Sequence, residues 1–125
     1  NPNGNLLDND EAVDFRISSG AVMQQHVRTL TDAANISWAK GMMAKVTLGG
    51  SRTLGKPTHA ISAGNGATLL LQVTQDATGG RTLAFASGIT VASGSLSTAA
   101  NAVNLITLAT FDGGTTWVAT ITNVS

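Results

Sequence analysis

The sequence predicts an all-β domain, a small antiparallel sandwich or barrel-like fold with an extended N-terminal arm. Strand-like runs of about five to nine residues alternate with glycine-rich turns at roughly 8–12-residue spacing, which is typical of such folds. β-branched residues are frequent, and no amphipathic helical pattern of useful length follows Arg28. We therefore divide the 125 residues into an attachment arm, residues 1–28, and a β domain, residues 29–125.

The arm contains turn-forming residues and one short segment in which apolar and polar residues alternate. Residues 1–11 are dominated by Asn, Pro, Gly and Asp, which predicts a loop. Residues 12–18 alternate apolar and polar side chains, which predicts a short strand. Residues 21–28 fit either a helical face or an extended segment, and we predict the extended form.

The first half of the β domain carries three strand patterns. Residues 29–40 and residues 43–48 each alternate, and residues 52–54 form a shorter run before Pro57, which cannot donate to a central ladder. The apolar positions predicted to face the core are Ala34, Ile36 and Trp38 in the first run and Ala44, Val46 and Leu48 in the second.

Residues 67–85 predict a β-hairpin. Leu69, Leu71 and Val73 share one face, and Leu83 and Phe85 resume it after a turn at residues 76–80. The turn contains Asp and two Gly residues, which favour local backbone hydrogen bonds and positive φ.

The last part of the chain predicts a short strand at residues 89–91, a loop at residues 93–100 and two longer strands. Residues 102–111 are apolar on both faces, which is typical of a strand covered on both sides. An Asp-Gly turn signal at residues 112–114 follows, and residues 115–124 alternate again. Their apolar face comprises Trp117, Ala119 and Ile121.

The charge composition restricts the partners. Seven basic and seven acidic residues give a net charge of zero, which argues against nucleic acid and against electrostatic binding to a membrane surface. No apolar run approaches the ~20 residues of a membrane span. Only 11% of residues are charged, which favours self-association, although a surface wetted by Thr, Ser and Asn is the alternative explanation.

The sequence predicts no metal site and no cofactor. The only histidines, His26 and His59, are far apart in sequence, and there is no Cys to complete a transition-metal site. Residues 8–11 are acidic but lack the spacing of a Ca²⁺ loop. Packed or surface roles are therefore predicted for both histidines and a solvated turn for residues 8–11.

No catalytic residues are predicted either. Asp76 and Asp112 lie in glycine-rich turns, where capping of the turn is the natural role of an Asp. There is no G-x-S-x-G elbow. Residues 64–66 lack the third Gly of a dinucleotide fingerprint, and residues 49–52 lack the ending of a P-loop, so both are predicted to be turns. We predict that the chain is not an enzyme.

The five aromatic residues offer the remaining route to a ligand site. Exposed Trp side chains can act as saccharide platforms, but all five lie on apolar phases of predicted strands or at strand ends, which favours core packing. They are Phe15, Trp38, Phe85, Phe111 and Trp117.

Several ordered motifs resemble a β module of tailed-bacteriophage virion surface proteins. They are residues 46–58 (VTLGGSRTLGKPT), residues 73–83 (VTQDATGGRTL), residues 96–103 (LSTAANAV) and residues 111–117 (FDGGTTW), and residues 14–20 resemble the lead-in of such proteins. The chain departs from the pattern at residues 88–94, where relatives often carry an aromatic, Pro-containing loop. This departure favours a structural role over receptor contact through that loop.

The resemblance implies a virion structural protein: a tail-fibre, tail-spike, head-fibre or capsid-decoration subunit, with head and tail left open. It also implies a homotrimer, in agreement with the low charge, and contacts with other capsid or tail proteins through the arm. The alternative is a module that binds a host-surface glycan, whose ligand-binding residues the sequence does not identify.

Overall fold

The computed structural model describes residues 24–125, which form two β-sheets and contain no helix. A six-stranded sheet has the order β1-β3-β5-β8-β9-β7, and a three-stranded sheet has the order β2-β4-β6. The strands are β1 (Val27–Thr29), β2 (Asn35–Ile36), β3 (Met43–Leu48), β4 (Arg52–Leu54), β5 (Ala67–Gln75), β6 (Leu83–Phe85), β7 (Ile89–Ser93), β8 (Val103–Thr110) and β9 (Trp117–Asn123). The all-β prediction is confirmed for this part of the chain.

The prediction of an antiparallel fold is wrong, because most pairings are parallel. From β1 to β6 the chain alternates between the two sheets, so each strand returns to its own sheet in the direction of its predecessor. β1, β3 and β5 are therefore parallel neighbours, and so are β2, β4 and β6. Parallel neighbours need a long crossover, and here the intervening strand of the opposite sheet provides it.

The predicted hairpin at residues 67–85 is also wrong. β5 lies in the six-stranded sheet, whereas β6 pairs with β4 in the other sheet. The turn between them is real, and Gly79 and Gly80 adopt φ of 72° and 75° there. It carries the chain from one sheet to the other instead of reversing it within one sheet.

The hairpin of this fold is formed by β8 and β9, which pair in an antiparallel manner around the predicted turn at residues 112–114. β8 also pairs antiparallel with β5 and so lies inside the six-stranded sheet. Asn104, Ile106, Leu108 and Thr110 are buried on one face of β8, while the alternate positions are half-buried. Within residues 24–125, the predicted cover of β8 is thus present on one face only.

The core lies between the two sheets. Each strand contributes its inward-facing side chains, and Ile36 and Leu54 of the small sheet meet the inner face of the large one. The inward positions predicted for β3 and β9, as well as Leu69, Leu71 and Val73, are buried as expected. The cluster comprises Ile36, Trp38, Ala44, Val46, Leu48, Leu54, Leu69, Leu71, Val73, Ile106, Leu108, Trp117, Ala119 and Ile121.

The remaining differences concern the beginning of the domain. The strand predicted over residues 29–40 is regular only at Asn35–Ile36, and Ala34 is exposed instead of buried. β1 lies across the predicted boundary at position 28, and the division into arm and domain stays a prediction. The loop at residues 1–11 and the strand at residues 12–18 lie outside the described residues.

The register of β5 predicts that adjacent leucines differ in their contribution to stability. Leu71 is fully buried, whereas Leu70 is half-buried on the outer face. We expect Leu71→Ala to lower the free energy of unfolding by about 2–5 kcal/mol, because it leaves a cavity between the sheets. Leu70→Ala, the matched control, should cost less than about 1.5 kcal/mol. Urea denaturation measures both, and equal losses would contradict this register.

Candidate functional site

The described strands place their connecting turns at two opposite ends of the sandwich. We name the ends by their residues. The paired-charge end contains Asp32, Arg52, Asp76 and Arg81, at the side where β3 and β5 finish. The Phe111 end lies where β8 finishes, and because β8 runs antiparallel to β5, it is the opposite side.

At the paired-charge end, Asp32 and Arg52 form a bidentate ion pair. The Arg52 Nε donates to Asp32 Oδ1 at 2.7 Å, and its Nη2 donates to Oδ2 at 3.2 Å. The Gly49 N–H also donates to Oδ2 at 3.0 Å. The Arg52 hydrogen bond is the main cause that lowers the pKa of Asp32. The pair ties the loop after β1 to the turn between β3 and β4.

Asp76 organises the turn that leaves β5. Its Oδ1 accepts hydrogen bonds from the Thr78 and Gly79 N–H groups at 3.1 and 2.9 Å, and its Oδ2 accepts one from Arg81 Nη2 at 2.9 Å. The Arg81 side chain, followed by the Gly79 N–H, lowers the pKa of Asp76. The predicted capping role of Asp76 is confirmed.

Two buried amide side chains also lie at the paired-charge end. Each one bonds both the backbone N–H and the backbone carbonyl of a single loop residue, as a neighbouring strand would. Gln75 donates from Nε2 to the Arg81 carbonyl oxygen at 2.8 Å and accepts from the Arg81 N–H at 3.0 Å. Asn104 forms the same two bonds with Ser97, at 3.2 and 2.9 Å. Buried amides need such partners, and each amide here holds a loop against the sheet.

Three of the motifs that resemble virion proteins, residues 46–58, 73–83 and 96–103, meet at this end. The Gly80 N–H donates to the Thr98 carbonyl oxygen at 2.7 Å, and the Asn101 N–H donates to that of Asp76 at 2.9 Å. A Cβ on Gly79 would lie 2.7 Å from the Ala100 nitrogen, so only glycine permits this approach. These motifs therefore maintain the fold, and their charged groups are occupied in closing turns.

At the Phe111 end, Asp112 closes the β8–β9 turn. Its Oδ2 accepts from the Thr116 hydroxyl at 2.6 Å, and its Oδ1 accepts from the Thr116 N–H at 2.9 Å and the Thr110 hydroxyl at 3.0 Å. These bonds, led by that of the Thr116 hydroxyl, lower the pKa of Asp112 to about 2. The capping role predicted for Asp112 is confirmed.

The two turn carboxylates cannot act together on a glycosidic bond. Asp76 follows the end of β5, and Asp112 follows the opposite end of β8. The eight residues of β8 alone span about 26 Å, whereas paired glycosidase carboxylates lie within about 10 Å. This separation excludes a glycosidase pair made of these two groups.

The core role predicted for Phe111 is wrong, because its relative exposure is 85%. The alternation of β8 contains the signal that identifies it. Ile106, Leu108 and Thr110 are buried at even positions, so the odd position 111 faces away from the core. Phe85 is half-buried against the core, and Phe15 lies outside the described residues.

Trp38 and Trp117 are core residues, each 1% exposed, as predicted. Their indole Nε1 groups donate to the carbonyl oxygens of Lys40 and Gly114. The His59 ring lies between them, with ring centroids 5.4 Å from Trp38 and 6.5 Å from Trp117. Neither indole is available as a saccharide platform.

His59 borders an apolar groove of about 510 Å³ between residues 39–42 and residues 58–61, which reaches down to Leu69. Its Nε2–H donates to the Gly41 carbonyl oxygen at 2.7 Å and so joins the two walls. Its Nδ1 is buried and forms no hydrogen bond within residues 24–125. Sequence patterns missed this groove, because its walls come from two irregular segments.

Metal and nucleotide sites find no support in the described geometry. His26 is exposed and His59 is packed, and residues 24–125 contain no group of three or more His, Asp or Glu placed to hold a metal ion. Residues 49–51 and 64–66 lie in turns between strands, Arg52 begins β4, and residues 8–11 lie outside the described part. The same residues 24–125 include no helix long and apolar enough to cross a membrane.

A two-sheet β domain whose carboxylates close turns has the character of a structural module. The family model described as "putative phage tail fibre C-terminal domain" matches residues 29–116, which is more than half of the chain. The chain belongs to this family and is a phage virion protein of the tail-fibre class. No curated protein and no solved structure matches the chain. The sequence left open whether the protein lies on the head or the tail of the virion. The description of the family refers to the tail.

The bond network of Asp112 predicts acid-sensitive stability. Its pKa is lower in the folded chain, at about 2, than the ordinary 3.8, so its ionisation stabilises the fold above pH 3.8. That contribution is lost as the pH falls through 2. We expect Asp112→Asn to make the melting temperature less steeply dependent on pH over this range. Thermal unfolding of both proteins between pH 2 and 5 measures this, and parallel pH profiles would contradict it.

Proposed function

We propose that this chain is a non-enzymatic structural subunit of a phage tail fibre, that it forms a homotrimer, and that residues 1–28 attach it to other virion proteins. The observation that carries the proposal is the outer face of the six-stranded sheet. It is broad, nearly uncharged and has no layer packed on it from the described part of the chain.

The outer face is built from the strand positions that alternate with the core positions. Lys45 carries the only formal charge among the outward positions of the described strands, and Thr and Gln side chains occupy most of the remainder. The outward apolar side chains are Val27, Met43, Leu70, Val103, Leu105, Ala109 and Val118. A face with so little charge is suited to contact with a second copy of the chain.

The size of this outer face suits a stable interface. Six strands at about 4.8 Å spacing are about 24 Å wide, and six residues span about 20 Å, which gives roughly 500 Å² in projection. Projecting side chains raise the accessible area towards the ~800 Å² per partner of ordinary interfaces. Three such faces can enclose a three-fold axis as the sides of a triangular prism.

β8 adds an independent argument for contact through this face. Its sequence is apolar on both sides, yet only one side is covered within the described chain. Leu105 and Val103 remain half-buried on the uncovered side. Association with further copies would cover them and so account for the sequence pattern.

The charge distribution supports a separate partner for the arm. Residues 1–28 contain four acidic and two basic residues, whereas residues 29–125 contain three acidic and five basic residues. The arm and the domain thus carry net charges of −2 and +2, although the whole chain is neutral. An acidic arm on a basic domain favours attachment to a basic patch on another virion protein.

Leu105→Glu tests the interface. A carboxylate at the centre of the outer face would be buried without a partner in the trimer, so we expect a shift from trimer to monomer. Ala84→Glu is the matched control, because Ala84 is exposed on β6 of the other sheet. Size-exclusion chromatography with light scattering measures the mass. A monomeric wild type, or a trimer that Leu105→Glu leaves intact, would contradict the proposal.

Immunogold labelling tests the location. We expect antibodies against the β domain to label the tail of intact virions and not the capsid. Virions treated with antibodies against an unrelated protein are the control. Gold particles confined to the head would contradict assignment to the tail fibre.

A further inference from the structure

The groove of about 510 Å³ beside His59 lies at the Phe111 end of the sandwich, where β3 and β5 begin. Its volume is within the ~300–1,000 Å³ of sites that receive a bound group. The apolar side chains that line it are Met42, Ala60, Ile61, Ala67 and Leu69. Met42 is 52% exposed, and residues 24–125 leave this apolar surface uncovered. The interface proposed above does not account for it.

The walls of the groove are fixed to each other and to the six-stranded sheet. His59 donates from Nε2 to the Gly41 carbonyl oxygen at 2.7 Å and so joins the two walls. The Leu70 N–H donates to the Met42 carbonyl oxygen at 2.8 Å, which holds one wall against β5. Because the groove is formed in advance, a segment that binds in it loses less entropy than one that must order its site.

The described chain begins on the side of this groove. β1 is parallel to β3, with Val27 opposite Met43, so the chain enters β1 from the end of the sandwich where residues 39–42 lead into β3. The Arg28 side chain lies against this wall, because a Cβ on Gly41 would be 2.7 Å from Arg28 Nε. The chain therefore connects to its preceding residues beside one wall of the groove.

The distance from this connection to the groove is short. The groove lies between the segments that lead into β3 and β5, and these strands are one and two spacings from β1, or about 5 and 10 Å. Six residues, from position 18 to position 24, can span up to about 20 Å. Residues 12–18 can therefore reach the groove of their own chain.

Residues 12–18 have the sequence pattern that suits an apolar groove. Val13, Phe15 and Ile17 alternate with polar residues, so an extended segment presents three apolar side chains on one face. The charges also agree, because residues 8–16 contain four acidic side chains and one basic side chain, whereas Lys40 lines the groove. Opposite charges favour the approach of the segment to this wall.

We propose that residues 12–18 bind in the groove of their own chain, with the Phe15 ring between the two walls and Val13 and Ile17 on either side of it. The segment thereby becomes part of the β domain, and residues 1–11 are left to contact other virion proteins. The short connection favours the same chain over another copy, because it gives a high effective concentration. The proposal goes beyond the proposed function, since it depends neither on the trimer nor on the location in the virion.

Labelling of a single thiol tests whether the groove is covered. The chain contains no Cys, so Thr58→Cys places one thiol in the groove wall. In the full chain we expect Phe15→Asn to speed the reaction of this thiol with N-ethylmaleimide at least about fivefold, because the open state becomes dominant. Ser18→Asn, the matched control, changes the opposite face of the segment and should leave the rate within about twofold.

Mass spectrometry measures the labelling rates. Val91→Cys is the control reporter, because Val91 is exposed on β7 at the far edge of the six-stranded sheet, and its rate should not respond to Phe15→Asn. Equal rates for Thr58→Cys with and without Phe15→Asn would overturn the proposal. Thermal melting verifies that Thr58→Cys folds, and Ala60→Cys replaces it if it does not.

Disulfide formation identifies the chain that supplies the segment. A disulfide requires Cα atoms within about 7 Å of each other, so we expect Phe15→Cys combined with Met42→Cys to form one within a single chain, which stays monomeric on a denaturing gel. Ser18→Cys combined with Met42→Cys should form at least about fivefold less of this product. Equal yields from the two pairs would overturn the proposal. A covalent dimer would identify another copy as the occupant and overturn it as well.

The labelling and disulfide experiments do not involve Leu105 or the location of the protein on the virion. Binding of residues 12–18 in the groove and the proposed function can therefore fail separately.

Discussion

The architecture depends on the alternate placement of consecutive strands in two sheets. This constraint brings Ile36 and Leu54 opposite the inner face of β5 and β8, so that every turn of the chain adds to one shared core. It also makes parallel pairs of strands that are distant in sequence, such as β4 and β6. The turns at the paired-charge end maintain this path, because a loosened turn would let a strand slip out of its sheet.

Period-2 alternation predicted individual strands well where one face meets the core and the other meets solvent. β3 and β9 have the bounds and inward residues that the pattern predicts, within two residues. Alternation says nothing about which strand is the neighbour, and this is why residues 67–85 resembled a hairpin. One signal pointed the other way: Gln75 shares the inward phase of Leu71, and a buried amide there needs a backbone partner beyond the strand.

In the candidate sites, too, the sequence predicts contacts between residues close together in the chain but not contacts between distant residues. The capping roles of Asp76 and Asp112 could be predicted, because both depend on backbone groups within a few residues. The ion pair of Asp32 with Arg52 joins residues 20 positions apart, and no local pattern indicates it. Phe111 was assigned to the core from its residue type, although its phase in β8 indicated exposure. For the burial of Phe111, the alternation of inward and outward positions along β8 was therefore a better guide than the hydrophobicity of the side chain.

The two connections that join the parallel strands β1, β3 and β5 differ in length. Thr29 pairs with Lys45, 16 positions later, whereas Lys45 pairs with Gln72, 27 positions later. Much of the excess lies in the irregular segment of residues 55–66, which borders the groove and ends beside Phe111. Insertions or deletions in this segment leave the register of both sheets unchanged. The chain between two parallel neighbours can therefore differ in length without changing which residues pair across the sheet.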